Sequence, residues 1–192
     1  LADSSRYVLA SFTADQPGVY TVENSLLSLS SDANNPVDLM VQVGDCRPVI
    51  RRFCQTGRST DFDVTIGHLR AGAKINFTVG PAGLVAEDKI TFDYSMAYQD
   101  KPSLNEQIDT ALASRQSSLT LRPGRYYQPG GSSKLLLEGV RNFDIFGEGV
   151  KIIMRDWDIA FHMIDCDNVS VSGLTIDYDP LAYSQGVIKD ID

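Results

Sequence analysis

Three short apolar runs recur in the second half of the chain, and their spacing limits the fold more than any other feature. Leu119-x-Leu121, Phe143-x-Ile145 and Val169-x-Val171 start 24 (143 − 119) and 26 (169 − 143) residues apart. Glycine follows each, at Gly124, Gly147 and Gly173. The last two copies correspond closely: Asn142-Phe143-Asp144-Ile145-Phe146-Gly147 against Asn168-Val169-Ser170-Val171-Ser172-Gly173. Each leads into a second run, Val150–Ile153 and Leu174–Ile176. A repeat of this length with two or three brief β runs and no helix implies a parallel β-solenoid, in which each coil buries the face of its neighbour. The Leu-x-x-Leu-x-Leu-x-x-Asn spacing of leucine-rich repeats is absent.

The first coil of a solenoid is an open sheet edge and needs a cover. Just ahead of it, Ser103-Leu104-Asn105-Glu106 has the form of a capping box. Leu104, Ile108, Ala111 and Leu112 then fall on one helical stripe. A capping helix over Ser103–Arg115 is expected, with Leu104, Ile108 and Leu112 on the first coil. A strand begins near Gln185–Ile188 and no closing cap follows, so the chain reads as the N-terminal part of a longer protein.

Residues 1–101 have a different pattern. About seven short runs, including Arg6–Thr13, Val19–Val22, Val37–Val43, Arg47–Phe53, Phe62–Leu69, Lys74–Val79 and Lys89–Met96, are separated by turn signals such as Pro17-Gly18 and Gly44-Asp45. This is the spacing of an antiparallel sandwich. The fold class is therefore all-β: an antiparallel β-sandwich over 1–101, then the first coils of a parallel β-solenoid over 102–192.

Composition narrows the function classes. Seventeen basic against 25 acidic residues give a net charge of −8. The excess is spread over both halves, with no acidic tail and no basic stripe in the sequence, so nucleic acid is not an expected partner. No apolar run is long enough to span a bilayer, and membrane insertion is not expected. The chain begins at Leu1 without a charged and apolar leader, implying a removed targeting segment or an excised piece. Three cysteines, Cys46, Cys54 and Cys166, do not make a disulfide framework. With Arg47–Phe53 as one strand, Cys46 and Cys54 lie too far apart to bridge.

The residues from Ser103 to Leu112, followed by Arg122-Pro123-Gly124-Arg125-Tyr126, resemble the opening of the pectate-lyase-like right-handed parallel β-helix superfamily. The stretch Asn168–Leu181, with Asp177-Tyr178-Asp179-Pro180-Leu181 at its end, is similar to early coils of bacterial β-helix glycosidases, including the α-1,3-galactosidase family. Gly18–Val22, Leu69–Phe77 and Val79–Pro81 look like the β-sandwich accessory modules of polysaccharide-degrading enzymes. These resemblances imply an exported bacterial protein, secreted or periplasmic, with carbohydrate as its partner and glycoside hydrolysis as its activity. They place the catalytic acids on later coils, so no catalytic residue is assigned. The alternatives are a non-catalytic carbohydrate-binding or structural β-solenoid of adhesin or tailspike type, and a polysaccharide lyase.

Candidate sugar-binding residues cluster in the coils. Glycoside hydrolysis uses paired carboxyls. Asp177 and Asp179, two apart, point to one face of a strand, and stacking can bring them near Asp156 and Asp158. Trp157 between those two acids offers a stacking face, and His162 is a further groove candidate. Asp-rich corners supply oxygens of the kind Ca²⁺ takes, but no loop has a full ligand set, so no metal or other cofactor is expected. The acidic balance disfavours a polyuronate substrate.

Overall fold

The computed structural model describes residues 7–31, 33, 36–80, 90–128, 135–154 and 159–179. Eight strands come first: β1 (Tyr7–Thr13), β2 (Gly18–Leu29), β3 (Val37–Val43), β4 (Ile50–Cys54), β5 (Ser59–Thr60), β6 (Val64–Leu69), β7 (Lys74–Gly80) and β8 (Ile90–Gln99). Strands β1-β7-β3-β4 form an antiparallel sheet. The second layer is built on β2, which carries β8 along one edge and β5 and β6 along the other. Alternation explains the pairing of layers. Leu39, Val41, Ile75 and Phe77 from the first sheet bury against Val22, Leu27, Phe62 and Ile66 from the second. Phe62 stacks parallel on Phe92 at 5.3 Å and meets Phe77 edge-on at 6.1 Å.

The expected strand over Arg47–Phe53 is displaced. The strand runs Ile50–Cys54, and residues before it turn back from β3, with the Cys46 amide bonded to the Val43 carbonyl at 3.0 Å. That turn frees Arg47 to reach the other half of the molecule. Cys46, Cys54 and Cys166 are all free thiols.

One helix follows, α1 (Leu104–Ala113). Its capping box is complete: the Ser103 hydroxyl accepts from the Glu106 amide at 3.3 Å, and Glu106 accepts from the Ser103 amide at 2.7 Å. Leu104, Ile108 and Ala111 are buried in the core of the second half, while Leu112 is only half-buried. The stripe is thus rotated slightly from the one expected: Ala111, rather than Leu112, faces inward.

The second half carries β9 (Ser118–Thr120), β10 (Gly124–Gln128), β11 (Leu135–Glu138), β12 (Arg141–Phe146), β13 (Val150–Met154), β14 (Phe161–Ile164), β15 (Asp167–Ser172) and β16 (Thr175–Tyr178). They pair only in parallel, as three ladders: β9-β12-β15, β10-β13-β16 and β11-β14. Inward side chains alternate, as in Leu135 and Leu137 or Phe143 and Ile145. The register corrects the sequence alignment of the first copy. Leu119 pairs with Ile145, not Phe143, and Leu121 takes the place equivalent to Gly147 through its amide bond to the Phe146 carbonyl. The step is 26 residues there and 26 from Phe143 to Val169, shortening to 24 between Ile152 and Ile176. Asn142 and Asn168 take matching places near the starts of β12 and β15 with φ of 52° and 51°, and the Asn168 side-chain amide donates to Asn142 Oδ1 at 2.8 Å. Asparagine tolerates that left-handed backbone better than most residues.

The two halves share a sheet. β6 pairs in parallel with β10 through His68 and Tyr126, so one layer runs β16-β13-β10-β6-β2. This explains why β13 is buried on both faces: Ile152 and Met154 point into the core of the second half, while Ile153 joins Tyr127 in the sandwich core.

Candidate functional site

The seam where β6 meets β10 holds a groove. Gly67, at φ 130°, sits where a Cβ would lie 2.6 Å from the Arg125 carbonyl oxygen, so only glycine lets the strands approach. The next residue, His68, stacks on Tyr126 at 5.6 Å between ring centroids and 19° between planes. The Lys101 carbonyl lies 3.0 Å from His68 Nε2. A carbonyl only accepts, so Nε2 carries the proton in that bond. Burial pushes the His68 pKa down, which favours the neutral ring.

The coil side of the groove is held from the helix. Gln107 is buried; its Oε1 accepts from the Arg122 amide at 3.0 Å, and its Nε2 donates to the Tyr126 hydroxyl at 3.3 Å. Tyr126 in turn donates to the Arg122 carbonyl at 2.8 Å. The Arg122-Pro123-Gly124 approach to β10 is therefore fixed at both polar groups of Arg122. Sequence reasoning missed Gln107: a polar residue on the inner helix face is the signal that would have found it.

Above this framework lies a groove of about 430 Å³, inside the roughly 300–1,000 Å³ range of ligand sites. Its charged lining is entirely basic: Lys101, Arg122, Arg125 and Lys151. The sequence shows no basic stripe, yet folding assembles a basic groove on an acidic protein. Arg125 and Lys151 are register partners on adjacent strands.

Beside the groove, Arg47 reaches from the sandwich to the end of β16. Its guanidinium binds Asp177 at 2.7 Å and lies 3.3 Å from Asp179, while its backbone amide donates to both Asp179 oxygens at 2.9 and 2.8 Å. Lys151 binds the same Asp177 oxygen, Oδ2, at 2.9 Å. The hydrogen bond from Lys151, joined by the Arg47 charge, holds the Asp177 carboxyl below its ordinary pKa. The Cys46 thiol donates to the Asp179 carbonyl at 3.4 Å, and burial with the nearby Asp179 charge pushes its pKa up to about 12.

The sequence-chosen residues are thus dispersed. Asp177 and Asp179 share Arg47, as side chains two apart on one face can. His162 lies on the separate β11–β14 ladder, half-buried, with Nδ1 lacking a partner among the described residues. Asp156, Trp157 and Asp158 lie outside the described residues. Tyr126 and Tyr127 are buried and present no open stacking face. Among the described residues, no group of three or more His, Cys, Asp or Glu side chains could hold a metal, and no helix is long and apolar enough to cross a membrane.

No family model matches the chain, and no curated protein does. Two solved structures are similar in part, both catalytic domains of a GH87 α-1,3-glucanase. The one in complex with tetrasaccharides is 12% identical with a TM-score of 0.30, and the one with nigerose 10% with 0.28. Each alignment covers 88% of this chain and 43% of the other, so the chain spans less than half the length of those domains. A likeness of that strength fixes neither fold nor chemistry.

Proposed function

We propose that the chain is the N-terminal part of an exported, carbohydrate-active protein of glycoside hydrolase type. In this reading residues 1–101 are its accessory sandwich, and 102–192 the first coils of a right-handed parallel β-helix. The observation that carries this reading is the set of three parallel ladders behind a capped helix. Parallel strands set side chains at about 4.8 Å intervals along the stack, a fixed comb suited to a repeating polymer.

Asp177 and Asp179 are held by cations and a backbone amide rather than poised as a protonated general acid. A general acid in a glycosidase has its pKa raised, whereas Lys151 and Arg47 lower that of Asp177. Asp179 is buried and spent on the Arg47 amide. The reading therefore leaves hydrolysis to further coils, and gives this part a substrate-holding role. The same observation favours a second reading, a non-catalytic carbohydrate-binding module.

Affinity electrophoresis of the 192-residue chain against a panel of polysaccharides, with reducing-end release measured in parallel, tests both. Retardation without turnover is expected. Turnover abolished by Asp177→Asn would overturn the assignment of cleavage to other residues. Failure to bind any saccharide would remove the carbohydrate reading.

A further inference from the structure

We propose that the seam groove is a binding site for an anionic saccharide, one bearing carboxylate or sulfate groups. The inference rests on the carbohydrate reading above and names the class of sugar. Its motive is the charge of the lining. Four basic residues and no acidic side chain line the groove, so a ligand there meets local positive charge rather than the overall balance of −8 that disfavours a polyuronate. Lys151 is compensated by Asp177, but Lys101, Arg122 and Arg125 make no ion pair among the described residues. The nearest helix carboxylate, Glu106, is occupied by the Ser103 amide and hydroxyl at 2.7 and 2.8 Å.

Arg125 and Lys151 stand directly opposite each other on paired strands. Asp177 already answers the Lys151 charge, so the uncompensated cation of the pair is Arg125, and an anion beside it gains Coulomb attraction. Guanidinium groups present two parallel N–H donors that match carboxylate and sulfate oxygens. The site is also prepared in advance: Gln107 and Tyr126 lock the backbone of Arg122, and Pro123 restricts the segment between the two arginines. The groove lies on the joint between halves, so its ligand touches both β6 and β10.

The test is calorimetry on the 192-residue chain with tetragalacturonate, a sulfated galactan tetrasaccharide, methyl-esterified tetragalacturonate and inorganic sulfate. The ester keeps the sugar backbone and removes the charge. At least one charged tetrasaccharide is expected to bind tenfold or more tighter than the ester, and to weaken several-fold between 50 and 300 mM salt. Arg122→Gln with Arg125→Gln should cost tenfold or more for that ligand. Arg52→Gln with Arg58→Gln, an equal charge change outside the groove, should cost little. Unchanged melting of the variants separates lost binding from lost folding. Equal binding of the charged sugar and its ester, unaffected by the groove variant, would overturn the proposal and leave the carbohydrate reading standing. Inorganic sulfate binding as tightly as either sugar would overturn the saccharide part. Binding of none of the sugars here, with retention by a neutral polysaccharide in electrophoresis, would sink the proposal alone; failure in both assays would sink both.

Discussion

Cutting Ile108 to alanine should unlatch the first coil. Ile108 is 2% exposed and packs in one core with Leu104, Leu121 and Tyr126. The substitution removes three carbons, worth about 2–3 kcal/mol at roughly 0.8 kcal/mol per buried methylene. The cavity left under a helix that cannot collapse inward brings the total to about 3–4 kcal/mol. Ser103→Ala, by contrast, loses one limb of the capping box and should cost about 1 kcal/mol. With a urea slope of about 2–3 kcal/mol per molar, the midpoints should fall by roughly 1–2 M and 0.5 M respectively. Fluorescence of Trp157, the single tryptophan, reports on the second half, and light scattering follows exposure of the coil edge. If the Ile108→Ala midpoint moves no further than that of Ser103→Ala, the helix is not a lid but a surface linker.

Three further outcomes are expected. Asp177, held down by Lys151 and Arg47, Glu106 by the Ser103 amide and hydroxyl, and Asp63 by the Ser25 hydroxyl and amide all have lowered pKa values; each adds stability above about pH 4 that is lost as pH falls through its folded value, so Asp177→Asn should flatten the acid limb of a melting-temperature profile, and an unaltered limb would count against the clamp. Gly67→Ala should destabilise by about 1–3 kcal/mol, since it combines a strained φ with a 2.6 Å approach to the Arg125 carbonyl; a neutral effect in thermal melts would deny the seam. Cys46, with its thiol near pKa 12 and 2% exposed, should resist iodoacetamide at pH 8.5 until the chain unfolds, as peptide mass spectrometry would read; early labelling would refute its burial.

Local features were legible in the sequence because local physics sets them. The capping box needs only Ser103 and Glu106, and the strands announce themselves by alternation. The copy spacing was read two residues short at Leu119 because a strand repeats its inside–outside pattern every two residues: a slip from Ile145 to Phe143 leaves the same face inward and looks equally good. Arg47 could not be assigned to Asp177 and Asp179, 130 and 132 positions away, because no periodicity links a turn in one half to a strand end in the other. The basic groove was hidden for a related reason. Net charge is a sum over the chain, and Lys101, Arg122, Arg125 and Lys151 become neighbours only when β10 and β13 stack against β6.

The seam also changes what protects the first coil. The sequence points to the helix as its cover, and the sandwich is a second one. The structure uses both, for different exposures. α1 covers the apolar interior with Leu104, Ile108 and Ala111, but a helix set there does nothing for the hydrogen-bonding edge of β10. β6 takes that edge through the Tyr126–His68 pairing, and the outer face of the same ladder is covered because Tyr127 and Ile153 sink into the sandwich core. The dependence runs both ways. A sandwich cut away near residue 101 would have β6 as a bare edge and two vacancies in its core, and it would lose the Arg47 contacts to Asp177 and Asp179. The joint is therefore part of the folding unit of each half, and a ligand bridging the groove across β6 and β10 would tighten the contact that both halves need.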